Sequence, residues 1–322
     1  MECETLSHTS IAAIMPVRNA ANFLKSSLAS ISANIDCLDE VIIVDDGSVD
    51  SSPKILRSWI QENPKAQLLT TSGVGLVRAL NLAMSVVQSD FVARFDADDR
   101  YDPRRIALQS VAIQPETVGV FCDYSIFSDS GRKMGFIPSP IFPDETAISL
   151  IRSQRTPHPG VIFNIHAARA VGGYQVEDFP AEDLSLWLRL TRVGSLISVP
   201  ELLLDYRVSA KSISSSNSTE MRSKRIQLLD EVGLNANSLK SAMEKFHSLQ
   251  NSYIDQTHSE IRTILHLLEL RAAIENTNFQ SSSAKITYRA LQACLKSTAI
   301  KNLSLFTLQT LERRVQRKFF LK

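Results

Sequence analysis

Asp96, Asp98 and Asp99 stand within four positions of one another, at the end of the apolar run Phe91-Val92-Ala93-Arg94-Phe95. Carboxylates packed this closely repel one another unless a cation lies between them. An all-oxygen donor set of this kind suits a hard divalent ion, Mg2+ or Mn2+. The same residues can equally form an acidic, solvated turn in which Asp98 or Asp99 caps the next helix, and the triplet alone leaves both readings open. Two further acidic points punctuate the chain: Asp45-Asp46-Gly47-Ser48-Val49-Asp50 follows the apolar run Val41–Val44, and Glu182-Asp183 opens a segment with the apolar stripe Leu184, Trp187 and Leu188.

The elements that must position these acids can be read from short apolar runs and their punctuation. Ile11–Met15, closed by Pro16, then Val41–Val44, Gln67–Thr70 and Phe91–Phe95 read as buried strands. Helical spacing separates them at Asn22–Ile35, Ser51–Trp59 and Val77–Val87. Strands alternating with helices of this length imply a parallel sheet covered on both faces. In such sheets ligands sit outside the carboxyl ends of the strands. Asp46 and the Asp96–Asp99 group would then crowd a single rim. Beyond Pro103 the pattern predicts an amphipathic helix to Ile113, a strand at Val118–Cys122, a hairpin turn at Ile126–Gly131 and a further strand entered from Thr156–Phe163. A short helix, Ala167–Val171, ends at Gly172-Gly173. The helix opened by Glu182 leads to strands at Leu196–Val199 and Leu202–Val208.

Composition narrows the class. In 322 residues, 44% hydrophobic, there is enough apolar material for one sizeable core and an appendage. A formal charge of +1 argues against a general nucleic-acid binder. Cys3, Cys37, Cys122 and Cys294 are widely scattered with no C-x-x-C pair, which fits a reducing compartment and excludes the usual cysteine-based zinc site. Residues 1–10 form a polar tail unlike a signal peptide, and no apolar run approaches the ~20 residues needed to cross a bilayer. The expected location is cytoplasmic, with a peripheral position on the inner face of the membrane as an extension of that reading. No G-x-G-x-x-G follows a strand, which disfavours a dehydrogenase, and Met15–Asn19 lacks the Gly-rich basic loop of a nucleotidyltransferase.

Taken in order, Ile14–Asn19, Glu40–Asp50, Ala79-Leu80-Asn81, Ala93–Asp99, Asp102–Arg105, Val171–Tyr174 and Glu182–Leu188 resemble the motif series of family-2 glycosyltransferases of GT-A fold. The resemblance covers residues 11–214. It implies an α/β, Rossmann-like catalytic domain with a mostly parallel central sheet flanked by helices. It further implies an inverting, metal-assisted transfer from a nucleotide-sugar donor, UDP-linked, to a glycan or lipid-linked acceptor in cell-surface polysaccharide synthesis. Pro16, Arg18, Asn19, Asp46, Asn81, Asp96 and Asp98 are then the donor-binding residues, with Asp46 accepting a hydrogen bond from the base. Asp98 and Asp99 would hold the metal. Asp183 would be the general base that takes the acceptor's hydroxyl proton, with Glu182 raising its pKa by like-charge repulsion. Many relatives carry an aromatic residue at the position of Arg18, and often a histidine at that of Ser209. His158 reads as a structural loop residue. The non-enzymatic alternative is a catalytically weak or inactive scaffold that keeps the fold.

Ser212–Thr219 has the character of a linker, and residues 215–322 lack strand alternation and read as a helical C-terminal region. From Lys285 to Lys322 there are nine Lys or Arg against one acid, Glu312. The final segment sets Leu308, Leu311, Val315 and Phe319 beside Arg313, Arg314, Arg317 and Lys318. Such a helix either lies on an anionic lipid surface or packs on the catalytic domain with a solvated basic face.

Overall fold

A computed structural model describes residues 9–140, 146, 149–150, 156–209 and 218–231. These all lie in the first of the chain's two units, Met1–Val232. Nine strands form one mixed sheet: β1 (Ile11–Val17), β2 (Glu40–Asp46), β3 (Ala66–Thr71), β4 (Phe91–Arg94), β5 (Arg100–Tyr101), β6 (Thr117–Ser128), β7 (Lys133–Ile137), β8 (Ile162–Asn164) and β9 (Ser195–Val208). Their spatial order is β3-β2-β1-β4-β8-β6-β9-β5, with β7 paired to β6. The helices are α1 (Ala21–Ser32), α2 (Ser52–Gln61), α3 (Leu76–Val86), α4 (Arg105–Ser110), α5 (Ile165–Ala170), α6 (Glu182–Leu190) and α7 (Ser218–Glu231).

The apolar runs are continuous because both faces of the sheet are covered. In β1, Ala12 and Ile14 belong to one core and Ile11, Ala13, Met15 and Val17 to the other; in β2, Ile42 and Val44 oppose Val41 and Ile43 in the same way. The first core takes Leu80 and Ala83 of α3 and Leu184 and Trp187 of α6, and the second takes Leu24, Leu28 and Ile31 of α1 and Leu56 of α2. Trp187 is fully buried and meets Phe121 and Phe163 edge-on at 5.4 and 5.9 Å between centroids.

The strands β1 to β4 are mutually parallel, as alternation with helices requires. From β4 onward the sheet is mixed: β8 runs antiparallel to β4 and to β6, whereas β9 is parallel to β6. Both strands expected in the 196–208 region are one strand, β9, whose register slips against β6 after Cys122 and after Asp123. Pro16 does not end β1. It lies beyond the last residue paired to β4, Ile14 opposite Arg94, so its missing N–H leaves no ladder bond unmade there. The β6–β7 hairpin turns at Asp129–Gly131, as its residues predict.

The helix α7, assigned from sequence to the C-terminal region, packs in the first unit. Leu228 is buried in the α3–α6 core, and the Arg225 Nη2 donates to the Leu150 carbonyl at 2.6 Å. The later helices, the basic stretch to Lys322 and the polar tail through His8 lie outside the described residues. Among the described residues no helix is long and apolar enough to cross a membrane. Local capping is modest but testable. Asn164 caps α5 by accepting the Ala167 N–H at 2.8 Å. Asn164→Ala is expected to cost about 0.5–2 kcal/mol in urea unfolding.

Candidate active site

Parallel pairing of β1, β2, β3 and β4 puts Arg18, Asp46, Thr71 and the Asp96–Asp99 loop on one rim. The sequence expectation that two acidic strand ends share an edge therefore holds in the structure.

On the β2 side, Asp46 is buried and heavily bonded. Its Oδ1 accepts from the Thr71 hydroxyl and from the Val74 N–H at 2.6 Å, and its Oδ2 accepts the Gly75 N–H at 2.9 Å. The half-exposed Arg18 guanidinium stands 3.6 Å from the same Oδ2. Burial pushes the Asp46 carboxyl up, but these three donors and the Arg18 charge outweigh it and hold the pKa below the ordinary 3.8. The 72–75 loop can meet Asp46 in this way because Gly73 and Gly75 take φ of +89° and +92°. Asp46→Asn is expected to cost about 1–3 kcal/mol at neutral pH. Because the folded-state pKa lies below the unfolded one, that contribution is complete above pH 3.8 and fades as pH falls through the folded value. Urea unfolding of both proteins at pH 7 and in acid should show the gap closing.

The neighbouring acids serve the backbone. Asp45 accepts the Ser48 N–H, and Asp50 accepts the N–H groups of Ala21 and Ser52. Asn19, at φ +51°, receives the Val49 N–H on its Oδ1 at 2.9 Å while its own N–H donates to Ser48. Asn81 is likewise spent inside the fold. Its Nδ2 donates to the Tyr174 carbonyl at 2.7 Å, its Oδ1 accepts the Tyr174 N–H at 3.1 Å, and a side chain on Gly173 would come within 3.0 Å of that oxygen. Asn19 thus ties its loop to the 48–49 turn, and Asn81 ties α3 to the segment at Tyr174.

The Asp96–Asp99 loop is held from beneath. Ligand oxygens of Asp96, Asp98 and Asp99 all lie within 4.8 Å of one another. Asp99 is 1% exposed; its Oδ1 accepts the Arg207 N–H at 2.7 Å and its Oδ2 has no hydrogen-bond partner. Burial first, and then the charges of Asp96 and Asp98, push Asp99 well above the usual carboxylate range. Burial and the Asp96 charge push Asp98 up to about 6. The Asp96 N–H donates to the Tyr101 hydroxyl at 2.6 Å, and the Ser27 hydroxyl donates to the Asp99 carbonyl at 2.7 Å.

Two buried arginines support this loop, and sequence reading gave neither a role. Strand alternation puts Arg94 on the same side of β4 as Val92, the side of the α3–α6 core, where its Nη1 pairs with Asp96 and donates to the Phe95 carbonyl. Arg105 gives its Nη1 to the Arg94 carbonyl at 2.9 Å and its Nη2 to the Val161 carbonyl at 3.0 Å, and stacks on Phe95 and Tyr101. The detectable signal was a lone basic residue at i−2 from Asp96, on the same strand face.

The same face leads to α6. Glu182, 5% exposed, feels the charges of Asp183, Arg94 and Asp96; burial and then Asp183 push it up to about 8, and its Oε2 has no hydrogen-bond partner. The like-charge repulsion expected between these two acids raises Glu182. Asp183 is half-buried on the first turn of α6, its Oδ1 accepting the Leu184 N–H at 2.7 Å. Tyr174 lies between the two acidic groups, within the fields of Asp183, Glu182 and Asp96. Its hydroxyl meets His158 Nε2 at 2.8 Å, and the His158 ring packs on Trp187, where burial and Arg94 keep it neutral. His158 is built into the core, as read from sequence. The Arg225 guanidinium on α7 adds a positive charge that Asp183 feels.

Comparison with known proteins bears on this arrangement. Residues 12–170 match the model for glycosyl transferase family 2, a segment that ends before Asp183. An uncharacterized glycosyltransferase of Haemophilus influenzae is 22% identical over 278 residues, 80% of this chain and 84% of its own. The UDP-Gal:alpha-D-GlcNAc-diphosphoundecaprenol beta-1,3-galactosyltransferase of Escherichia coli is 28% identical over 202 residues, 61% of this chain and 72% of its own. Other relatives are much longer, and the chain spans 15% and 36% of two of them. Among solved structures, a mannosyltransferase of Pyrobaculum calidifontis in complex with GDP-Man and Mn2+ superposes with TM-score 0.55 at 16% identity, over 96% of this chain and 87% of that one.

Proposed function

The chain belongs to glycosyl transferase family 2 and has the GT-A fold, and on that premise we propose that it transfers a sugar from a UDP-linked donor to a hydroxyl of a glycan or lipid-linked acceptor, inverting the anomeric centre. The observation that supports this reading is the Arg18–Asp46 pair and the Asp96–Asp99 loop on one rim, with Arg94, paired to Asp96, and Tyr174 both within the fields of the Glu182-Asp183 turn.

A divalent ion fits the acidic loop. Asp99 offers a buried carboxylate oxygen without a partner beside two more acids, a costly arrangement that a hard cation would reverse. Asp98 and Asp99 would hold it, and Asp96, tied to Arg94, orients the loop. Such an ion, when bound, neutralises the charge that grows on a departing diphosphate. Arg18 and Asp46 offer a paired donor and acceptor at the nucleotide end of the rim, matching the N–H and carbonyl groups of a uracil edge. Asp183 accepts the proton of the attacking hydroxyl, and burial and the Asp183 charge push the neighbouring Glu182 up to about 8. The support for a UDP donor and a lipid-linked acceptor is the name of the Escherichia coli relative.

A panel of nucleotide sugars, each with and without Mn2+, tests the proposal by thermal shift and by nucleotide release. The expected result is a metal-dependent rise in melting temperature with UDP-sugars and slow nucleotide release with one of them. Absence of any shift across the panel would overturn the donor assignment and favour a scaffold.

A further inference from the structure

Arg207 on β9 sits against the acidic loop. Its backbone N–H donates to Asp99 Oδ1 at 2.7 Å, and its side-chain Nε donates to the Asp98 carbonyl at 2.9 Å. The guanidinium is sandwiched between two aromatic rings, 4.2 Å from the Phe23 centroid on α1 and 4.4 Å from that of Phe127 on β6. Its Nη1 lies 3.8 Å from Asp129 in the β6–β7 turn, and the side chain is 5% exposed. Three elements remote in sequence therefore fix one planar cation, and that cation fixes the backbone between the two acids that the proposed function assigns to the metal.

We propose that Arg207 is a positioning residue for the divalent-cation site, a clamp that holds Asp98 and Asp99 in ligating geometry before any ion arrives. The inference rests on the reading of those two acids as metal holders. The physics favours a clamp over a charge-neutralising role. A positive charge beside the loop opposes cation binding by repulsion, so its benefit must come from geometry. The planar fork between two rings supplies that geometry, because it cannot rotate without losing both stacking contacts. With Asp96 held by Arg94, and Asp98 and Asp99 held by Arg207, the acidic groups are kept from swinging apart.

Arg207→Lys separates the two contributions, since it keeps the charge and loses the fork. Mn2+ affinity of the full-length protein, measured by the EPR signal of free Mn2+ with no nucleotide present, is expected to fall about 10–100-fold, as for other partners that orient metal ligands. Phe23→Leu removes one face of the clamp from α1 and is expected to weaken Mn2+ in the same direction, which keeps the test decisive if the lysine variant folds poorly. A residue that merely packs would lower the metal-free melting temperature and leave Mn2+ affinity unchanged. That outcome in both variants, or tighter binding, would overturn the clamp. Absence of Mn2+ binding by the unaltered protein would instead overturn the metal reading itself.

Discussion

Asp183→Asn is expected to lower kcat about 10²–10⁴-fold, the range that a positioned general base contributes, with little change in the KM for the donor. Asparagine has the same shape and keeps an oxygen to receive the Leu184 N–H, so the first turn of α6 retains its local bond. What it loses is the ability to take a proton from a sugar hydroxyl. Glu182 is a poor substitute, because it is buried, and burial, the largest cause of its raised pKa, persists when the Asp183 charge is removed. Single-turnover transfer with the best donor from the nucleotide-sugar panel, alongside circular dichroism to verify the fold, measures the effect. Activity within about threefold of the unaltered protein would remove Asp183 from the chemistry.

For Asp99→Asn two effects of opposite sign are expected. Turnover should fall about 10²–10³-fold or more, because the charge developing on the leaving diphosphate loses its counter-charge. Chelation of metal should then have no further effect. The metal-free protein, in contrast, should melt at a higher temperature than the unaltered one. Asp99 is buried against Asp96 and Asp98 with one oxygen unpartnered, so its ionisation works against folding. Its folded-state pKa lies above the unfolded one. The destabilisation therefore begins as pH rises above the ordinary 3.8 and is complete above the folded value, so the stability gained by the variant should grow with pH and vanish in acid. Mn2+ should stabilise the unaltered protein and not the variant. A variant that keeps the full Mn2+ response would place the ion elsewhere.

Stability and function pull apart at this loop for a plain reason. A site that receives a cation must keep anionic groups close together in a partly dry place, and the uncompensated charge is carried by the rest of the fold until a ligand arrives. Here the support for that loop is visible in the buried Arg94, in Arg105 beneath it, and in Arg207 against its two rings. Replacing any of the three removes support from the loop, and its effect should appear first in metal binding.

Much of the architecture could be read before any coordinates. Four apolar runs separated by helical spacing require a covered parallel sheet, and parallel strands bring their carboxyl ends to one rim whatever the loop conformations, so the meeting of Asp46 with the Asp96–Asp99 loop follows from period and order alone. The family motifs added roles to those residues. Patterning could not show which polar groups the fold would consume. Asn19 and Asn81 carry the right chemistry for a ligand, and each also bonds a backbone segment remote in sequence, Val49 from 30 residues away and Tyr174 from 93. Nor could it show that Glu182 is buried and its pKa raised, since burial depends on how α6 packs in the fold. Local sequence specifies dihedral preference and apolar period, which are short-range properties; hydrogen-bond partnership and dielectric environment are set by residues 30 to 109 positions distant, as with Arg207 and Asp98, and these only the assembled tertiary structure decides.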